Sequence, residues 1–252
     1  MKVVESLEIL PGRDRAGVRE NFDALVLFPG DRLSVVGPTG SGKSRLLADI
    51  EWAADGDTPS GRRILWNGRA IPAMERLEGP IGRVAQISQT MGFLMDLTVI
   101  DFLRLHAQAH GIESDGPVQE TYEAAQKLTG EGFPPEARLP SLSGGQSRAL
   151  MIADVAVLGA APVVLVDEIE NAGVDRKAAL DLLSGKGRIV LLATHDPLLA
   201  LSSPRRVVLG NGGIRAMLSR TEEEEKVLRE LSTLDLRIDV LRKAMRAGES
   251  FV

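Results

Sequence analysis

The segment GPTGSGKS, residues 37–44, constrains the fold of this chain more than any other stretch of its sequence. It lies between the β-rich run RLSVV and the segment SRLLADIEWAA, in which Leu46, Leu47 and Ile50 recur with helical spacing. A glycine loop between a strand and a helix lets backbone N–H groups and the positive helix end face a phosphate. The sequence therefore predicts a P-loop that binds a nucleotide.

The side chains of this loop fit the same chemistry. Lys43 is placed to reach the β and γ phosphate oxygens, and Ser44 can offer its hydroxyl to Mg²⁺. We expect the nucleotide to contact nine consecutive residues: Gly37, Pro38, Thr39, Gly40, Ser41, Gly42, Lys43, Ser44 and Arg45.

A later apolar run, VVLVDE at residues 163–168, ends in two acids. Asp167 can hold a metal ion through its water shell, and Glu168 beside it is placed to polarise an attacking water. An acid pair at a strand end is also common as a cap or surface feature. Downstream of a P-loop, we interpret the pair as hydrolytic machinery.

Composition excludes several classes of protein. The 252 residues include no cysteine, so disulfides, thiolate catalysis and cysteine metal sites are excluded. A net charge of -5 argues against a broad nucleic-acid footprint, and no nucleic-acid partner is expected. The acids and the proline in MKVVESLEILPG do not fit a signal peptide, which predicts a cytoplasmic protein.

The arrangement of apolar runs predicts an α/β fold. After residue 150 the pattern alternates between helix and continuous apolar strand, which is typical of a mostly parallel sheet covered on both faces. The Gly-, Pro- and Asp-rich block around RILW predicts a small antiparallel β unit.

A third motif, LSGGQ at residues 142–146, lies between the P-loop and VVLVDE, and this order resembles the ABC (ATP-binding cassette) ATPase family. ISQTMGFLMDLTV is similar to that family's Q-loop, and LATHD to its H-loop. The resemblance implies a P-loop NTPase with a mostly parallel core, an antiparallel β subdomain and an inserted helical subdomain. It places the ATPase domain in residues 1–220, with its core at 1–90 and 160–220 and the helical subdomain at about 91–159.

The resemblance also assigns roles to residues. In this family the signature loop of one cassette closes over the ATP on the P-loop of another, which implies a head-to-tail dimer. Gln89 matches the Q-loop residue near Mg²⁺, preferred to Gln86 because it precedes Leu97 by eight residues. His195 matches the switch histidine that contacts the γ-phosphate. The signature residues acting across the dimer are Ser143, Gly144, Gly145 and Gln146.

The chain departs from the family pattern in three places. The D-loop, with Asn171 and Asp175, carries its aspartate eight residues after Asp167, where seven is usual. Asp154 stands near a position where many members have an arginine. No base-stacking aromatic is evident before the P-loop, and two arginines, Arg13 or Arg15, are the alternatives for contacting adenine.

Two further patterns leave alternatives open. His106 and His110 are four residues apart on a predicted helix, and without a third ligand a solvated face is favoured over a metal site. Residues 221–252 are expected to form a C-terminal amphipathic helix with an apolar stripe of heptad spacing. That stripe can pack on the chain's own core, the favoured interpretation, or pair with a second copy or a partner. Its members are Val227, Leu231, Leu234, Ile238, Leu241 and Met245.

The family resemblance favours an ATP-hydrolysing, Mg²⁺-dependent cassette that docks on membrane-spanning transporter subunits, peripheral to the cytoplasmic face of the membrane. The alternative is a soluble ABC ATPase that remodels or activates a cytosolic partner. A third possibility, a nucleotide-dependent switch with little turnover, is disfavoured by Glu168 and His195.

Overall fold

The computed structural model describes residues 3–77, 82–88, 91–169, 173–246 and 248. Within these residues the strands are β1 Leu7–Leu10, β2 Leu25–Leu27, β3 Arg32–Val36, β4 Arg63–Trp66, β5 Arg69–Ala70, β6 Val84–Ile87, β7 Val163–Asp167, β8 Ile189–Ala193, β9 Arg205–Gly210 and β10 Gly213–Ser219. The helices are α1 Lys43–Glu51, α2 Ala73–Leu77, α3 Val99–Ala109, α4 Asp115–Leu128, α5 Gly144–Val157, α6 Arg176–Leu183, α7 Pro197–Ser202 and α8 Glu222–Arg246.

The central sheet has six strands in the order β10-β9-β3-β8-β7-β6. Strands β9, β3, β8, β7 and β6 run parallel to their neighbours, and β10 pairs with β9 as an antiparallel hairpin. The continuous apolar runs of β7 and β8 are buried because helices cover both sides of a parallel sheet. The predicted α/β class with a mostly parallel core is confirmed.

A second, antiparallel sheet has the strand order β2-β1-β4-β5. Leu7, Ile9, Leu25 and Leu27 are buried in the same core as α1 and the central sheet. Only β4 was predicted from the sequence. Strands β1 and β2 have four and three residues, which is too short for a clear period-2 pattern.

Helices α3, α4 and α5 build a separate core around Leu103, Ala125 and Leu150. The ends of two of these helices have the caps that their sequences favour. Thr98 accepts a hydrogen bond from the Asp101 amide at the start of α3, and Ser143 caps α5. The subdomain limits near residues 91 and 159 stay a prediction.

The last helix, α8, has 25 residues and lies against α7. Three ion pairs hold its first half: Arg206 with Glu224, Arg220 with Glu225, and Arg176 with Asp235. In the described part of the chain, no helix combines the length and apolar character needed to cross a bilayer.

Candidate functional site

Three distant segments of the chain meet at one edge of the central sheet. Strand β8 lies between β3 and β7, and all three run parallel, so their carboxyl ends share an edge. Gly37 follows β3, Asp167 ends β7 and His195 follows β8 by two residues. The sheet topology therefore brings the P-loop, the acid pair and the predicted switch histidine to the same region.

The P-loop turns tightly into α1. Gly42 has a φ of 108°, and a Cβ added to it would lie 2.9 Å from the Cα of Gly212, so glycine is required there. Lys43, the first residue of α1, is buried and donates to the carbonyl oxygens of Gly37 at 2.9 Å and Pro38 at 3.4 Å. The lysine ammonium is thus held over the loop.

The two predicted metal-contacting residues lie side by side. Ser44 Oγ donates to Asp167 Oδ2 at 3.4 Å, although 123 residues separate them in sequence. A hydroxyl and a carboxylate are the hard oxygen donors that suit Mg²⁺. Among the described residues, no cluster of three or more His, Cys, Asp or Glu side chains forms a metal site of its own. Gln89, the third predicted contact, lies outside the described residues.

Glu168 holds an unusual backbone conformation next to this pair. Its φ is 54°, and its amide donates to the Ala193 carbonyl oxygen of β8 at 3.0 Å. Its Oε1 atom lies 4.0 Å from Nδ1 of His195, and both side chains are partly exposed. Positive φ at a residue with a side chain is uncommon and concentrates at functional sites, which agrees with the predicted role.

A cleft of about 490 Å³ opens over the P-loop. Its lining residues are Arg15, Thr39, Gly40, Gly42, Lys43, Ser44, Arg45, Ala48 and Glu168. Of the two arginines left open for adenine, Arg15 lies in the cleft, whereas Arg13 donates to the Gly17 carbonyl oxygen within its own loop. Arg15 is therefore the better candidate for contacting the base.

A buried ion network beneath the cleft escaped the sequence analysis. Arg62, which is 0% exposed, donates to Glu20 Oε1 at 2.5 Å and to Asp49 Oδ2 at 3.1 Å. It also donates to the Gly212 carbonyl oxygen at 3.0 Å. The one sequence signal was Asp49, an acid beside the buried face of α1, since Arg62 and Glu20 resemble ordinary surface charges.

This network joins the segments that shape the cleft. Glu20 accepts from the amides of Gly12 and Ile214, at 2.8 and 2.6 Å, at the two sides of the loop that carries Arg15. Gly212, bonded to Arg62, lies against both Gly42 and Arg15. Arg62 thus connects the antiparallel sheet, α1 and the cleft.

The signature loop forms the amino-terminal end of α5. Ser143 Oγ accepts from the Gln146 amide, and Gln146 Oε1 accepts from the Ser143 amide, which completes a capping box. Gly144 and Gly145 form the first turn between them. The start of the helix presents its dipole and backbone amides to solvent, a surface that suits an anion.

The D-loop residues divide between described and undescribed parts of the chain. Asn171 lies outside the described residues. Asp175 accepts from the Ala178 amide at 3.0 Å as the N-cap of α6, and its own amide donates to the Leu128 carbonyl oxygen. Gly173 lies beside Gly145 of the signature loop. The shifted Asp175 is therefore used as a helix cap.

Comparison with known proteins identifies this constellation. The model of the ABC transporter family matches residues 23–171, more than half of the chain, from β2 to beyond the acid pair. The chain belongs to the ABC transporter family. It is an ABC ATPase cassette, and the match spans the P-loop, the signature and Glu168.

Named relatives extend this likeness over the whole chain. An uncharacterized ABC transporter ATP-binding protein of Methanocaldococcus jannaschii is 46% identical over 246 residues, covering 98% of this chain and 94% of the relative. The thiamine import ATP-binding protein ThiQ of Cereibacter sphaeroides is 33% identical over 190 residues, covering 71% of this chain and 77% of the relative.

Solved structures support the fold. The structure of cbiO1 from Clostridium perfringens, part of the ABC transporter complex cbiONQ, has a TM-score of 0.65 at 21% identity. It covers 96% of this chain and 100% of the cbiO1 chain. A dimeric ATP-binding cassette bound to ADP and phosphate has a TM-score of 0.61 at 19% identity, covering 84% of this chain and 98% of that one. Both likenesses bear on the fold.

A histidine–aspartate contact links two helices of this cassette. His106 Nδ1 lies 2.5 Å from Oδ1 of the buried Asp154, so α3 is tied to the signature helix α5. The hydrogen bond and charge of Asp154 raise the pKa of His106, although burial opposes this. The solvated face favoured from the sequence therefore does not describe His106, which lies 3.2 Å from His110 through their Nε2 atoms.

This contact makes the stability of the cassette depend on pH. Because the folded pKa of His106 is raised, the stabilisation is complete below the unfolded pKa of about 6.5 and is lost as pH rises through the folded pKa. We expect His106→Gln to lower the free energy of unfolding by about 1 kcal/mol more at pH 6 than at pH 9. Urea denaturation at both pH values measures this, and an equal loss at both would contradict it.

Proposed function

We propose that this cassette binds ATP with Mg²⁺, hydrolyses it to ADP and phosphate, and powers a transporter through ATP-driven head-to-tail dimerisation. The observation that supports this most directly is the contact of Ser44 with Asp167 at 3.4 Å, beside Glu168. Nucleotide-binding and water-activating groups then lie at the same strand ends, as hydrolysis requires.

Each residue has a part in this reaction. Lys43 and the P-loop amides bind the β and γ phosphates, and Arg15 contacts the base. Glu168 orients the attacking water and accepts its proton, while His195 contacts the γ-phosphate as charge builds on it. Ser44 and Asp167 would hold Mg²⁺, which neutralises charge on the phosphate oxygens. The preset backbone of Glu168 favours this role because the carboxylate needs little rearrangement.

The signature loop supplies the second half of each site. Ser143, Gly144, Gly145 and Gln146 would bind the γ-phosphate of the opposite cassette through the amino-terminal end of α5. The similar cassette that is dimeric with bound ADP and phosphate supports such an arrangement. Closure on ATP and reopening after hydrolysis would couple the chemistry to a two-state motion.

An exposed apolar group follows the Q-loop. Met91 and Met95 are about half exposed, and Leu94 is 100% exposed. Large apolar side chains grouped on a surface mark sites of protein contact. Together with the import and transport complexes named for the relatives, this group supports docking of a membrane-spanning subunit here.

We expect Leu94→Glu to reduce recovery of the membrane subunit by at least about tenfold, since a buried carboxylate in the interface would be desolvated. The measurement is affinity purification from detergent-solubilised source cells with quantitative mass spectrometry. Leu236→Glu, which places the same change on exposed α8, is the control and is expected to retain the partner. Equal recovery with both variants would contradict this docking surface.

The same purification tests the alternative function. A stoichiometric polytopic membrane protein supports the transporter. Recovery only from the soluble fraction, with a cytosolic enzyme bound through the same surface, would favour an ATPase that remodels a soluble partner. ATPase activity of the purified chain is measured in parallel, so a failure of hydrolysis is distinguished from a failure of docking.

A further inference from the structure

Helix α8 carries an apolar stripe that its own domain leaves uncovered. Val227, Leu234, Ile238, Leu241 and Met245 are each between 45% and 67% exposed. Leu231, which continues the stripe, is half-buried. The spacing of these six residues, alternately four and three, is that of a heptad repeat. The interpretation favoured from sequence, in which the stripe packs on its own core, is wrong for the exposed members.

The domain holds a different side of this helix. The ion pairs to Arg206, Arg220 and Arg176 are made by Glu224, Glu225 and Asp235, which lie off the stripe. At 100° per residue, Asp235 lies about 80° around the helix from the middle of the stripe. The helix is therefore fixed on the domain while the stripe still faces solvent.

The charges beside the stripe discriminate between the two ways in which two copies of α8 can pair. In a parallel pair, Glu230 would face Asp235 of the second copy, and Arg237 would face Arg242. Both contacts join like charges, which is unfavourable.

An antiparallel pair reverses these contacts. When Leu234 of one helix packs against Ile238 of the other, Leu231 meets Leu241 and Val227 meets Met245, so the whole stripe is covered. In that register Glu230 faces Arg237 on one flank, and Asp235 faces Arg242 on the other. Opposite charges then meet on both flanks, and the two-fold symmetry doubles each pair.

We propose that α8 is a dimerisation helix, which pairs antiparallel with α8 of a second copy of this chain. The helix is about 37 Å long, so about three heptads contribute to the seam. Because an antiparallel pair is two-fold symmetric, the contact closes as a dimer and forms without nucleotide. It holds two cassettes together between cycles of ATP-driven closure, whether or not they serve a transporter.

Cysteine cross-linking of the full chain tests the orientation, because the sequence contains no cysteine and background cross-links are absent. The double variant Val227→Cys/Met245→Cys is expected to form a disulfide-linked dimer without nucleotide. Within one helix these positions are 18 residues, about 27 Å, apart, so an intramolecular disulfide is impossible. Each single variant is expected to stay uncross-linked, since its two cysteines lie at opposite ends of the pair.

Charge reversal and apolar variants test the seam by sedimentation without nucleotide. Glu230→Arg is expected to raise the dimer dissociation constant at least about tenfold at low salt, and Glu230→Arg/Arg237→Glu to restore it. Leu234→Glu is expected to abolish the dimer, whereas Leu236→Glu, at an exposed apolar site across the helix, leaves it intact. Circular dichroism checks that each helix still forms.

Four results would overturn the proposal. They are a monomeric chain at every concentration without nucleotide, cross-linking of Val227→Cys alone, tighter association of Glu230→Arg, and cross-linking of the double variant that requires ATP. The last would mean that cassette closure, and not α8, brings the copies together. ATP hydrolysis by the same preparations reports separately on the proposed enzymatic function.

Discussion

Glu168→Gln is expected to reduce steady-state ATP hydrolysis by about 10²–10⁴-fold while ATP binding persists. The amide keeps the size of the carboxylate but cannot accept a proton from the attacking water. Binding persists because Lys43 and the P-loop amides, not Glu168, hold the phosphates. We further expect ATP to accumulate a closed dimer of this variant, since the step that reopens the pair is blocked.

Phosphate release, ATP titration and sedimentation with and without ATP measure these effects. Glu113→Gln makes the same charge change at an exposed position between α3 and α4 and is expected to leave turnover unaltered. Turnover of Glu168→Gln at the wild-type rate would refute the assigned role. Loss of ATP binding would instead show that the carboxylate contributes to the shape of the cleft.

Arg62→Ala is expected to lower the free energy of unfolding by about 3–5 kcal/mol. The change leaves two buried carboxylates, Glu20 and Asp49, without their cation, and it removes the donor to the Gly212 carbonyl oxygen. At about 2–4 °C per kcal/mol for a chain of this size, the melting temperature falls by roughly 10 °C. ATP affinity is expected to fall as well, because Glu20 supports the loop that carries Arg15.

Arg63→Ala is the matched control. Arg63 is the next residue in the chain and also pairs with a carboxylate, Asp55 at 2.7 Å, but its side chain is 53% exposed. Removing an exposed pair is expected to cost less than about 1 kcal/mol. Thermal unfolding of both variants measures the contrast, and equal melting temperatures would mean that burial of the network contributes nothing.

The hairpin of β9 and β10 shows why part of the fold was not predicted. Its register is interrupted by an irregularity between Ile214 and Ala216, so the alternation of buried and exposed residues is broken. Strands β3, β7 and β8, by contrast, were predicted because long Val, Ile and Leu runs are buried on both faces.

The candidate site divides in the same way. The P-loop and the acid pair were predicted because a phosphate-binding loop and a strand-end carboxylate each have a local pattern. Arg15 could not be distinguished from Arg13, since both are exposed arginines of one loop and only the loop's path directs one into the cleft. The bond of His106 to Asp154 joins residues 48 apart on different helices, which no local spacing encodes.

The sequence by itself determined the family, the α/β class and the positions of the motifs, because each depends on residues that are close together in the chain. The tertiary structure decided what the separated residues do together. It placed Ser44 against Asp167, buried Arg62 between Glu20 and Asp49, and left the stripe of α8 exposed. The physical reason is that burial and pairing of charges depend on packing between elements, and a heptad pattern reads the same whether its stripe is covered or faces solvent.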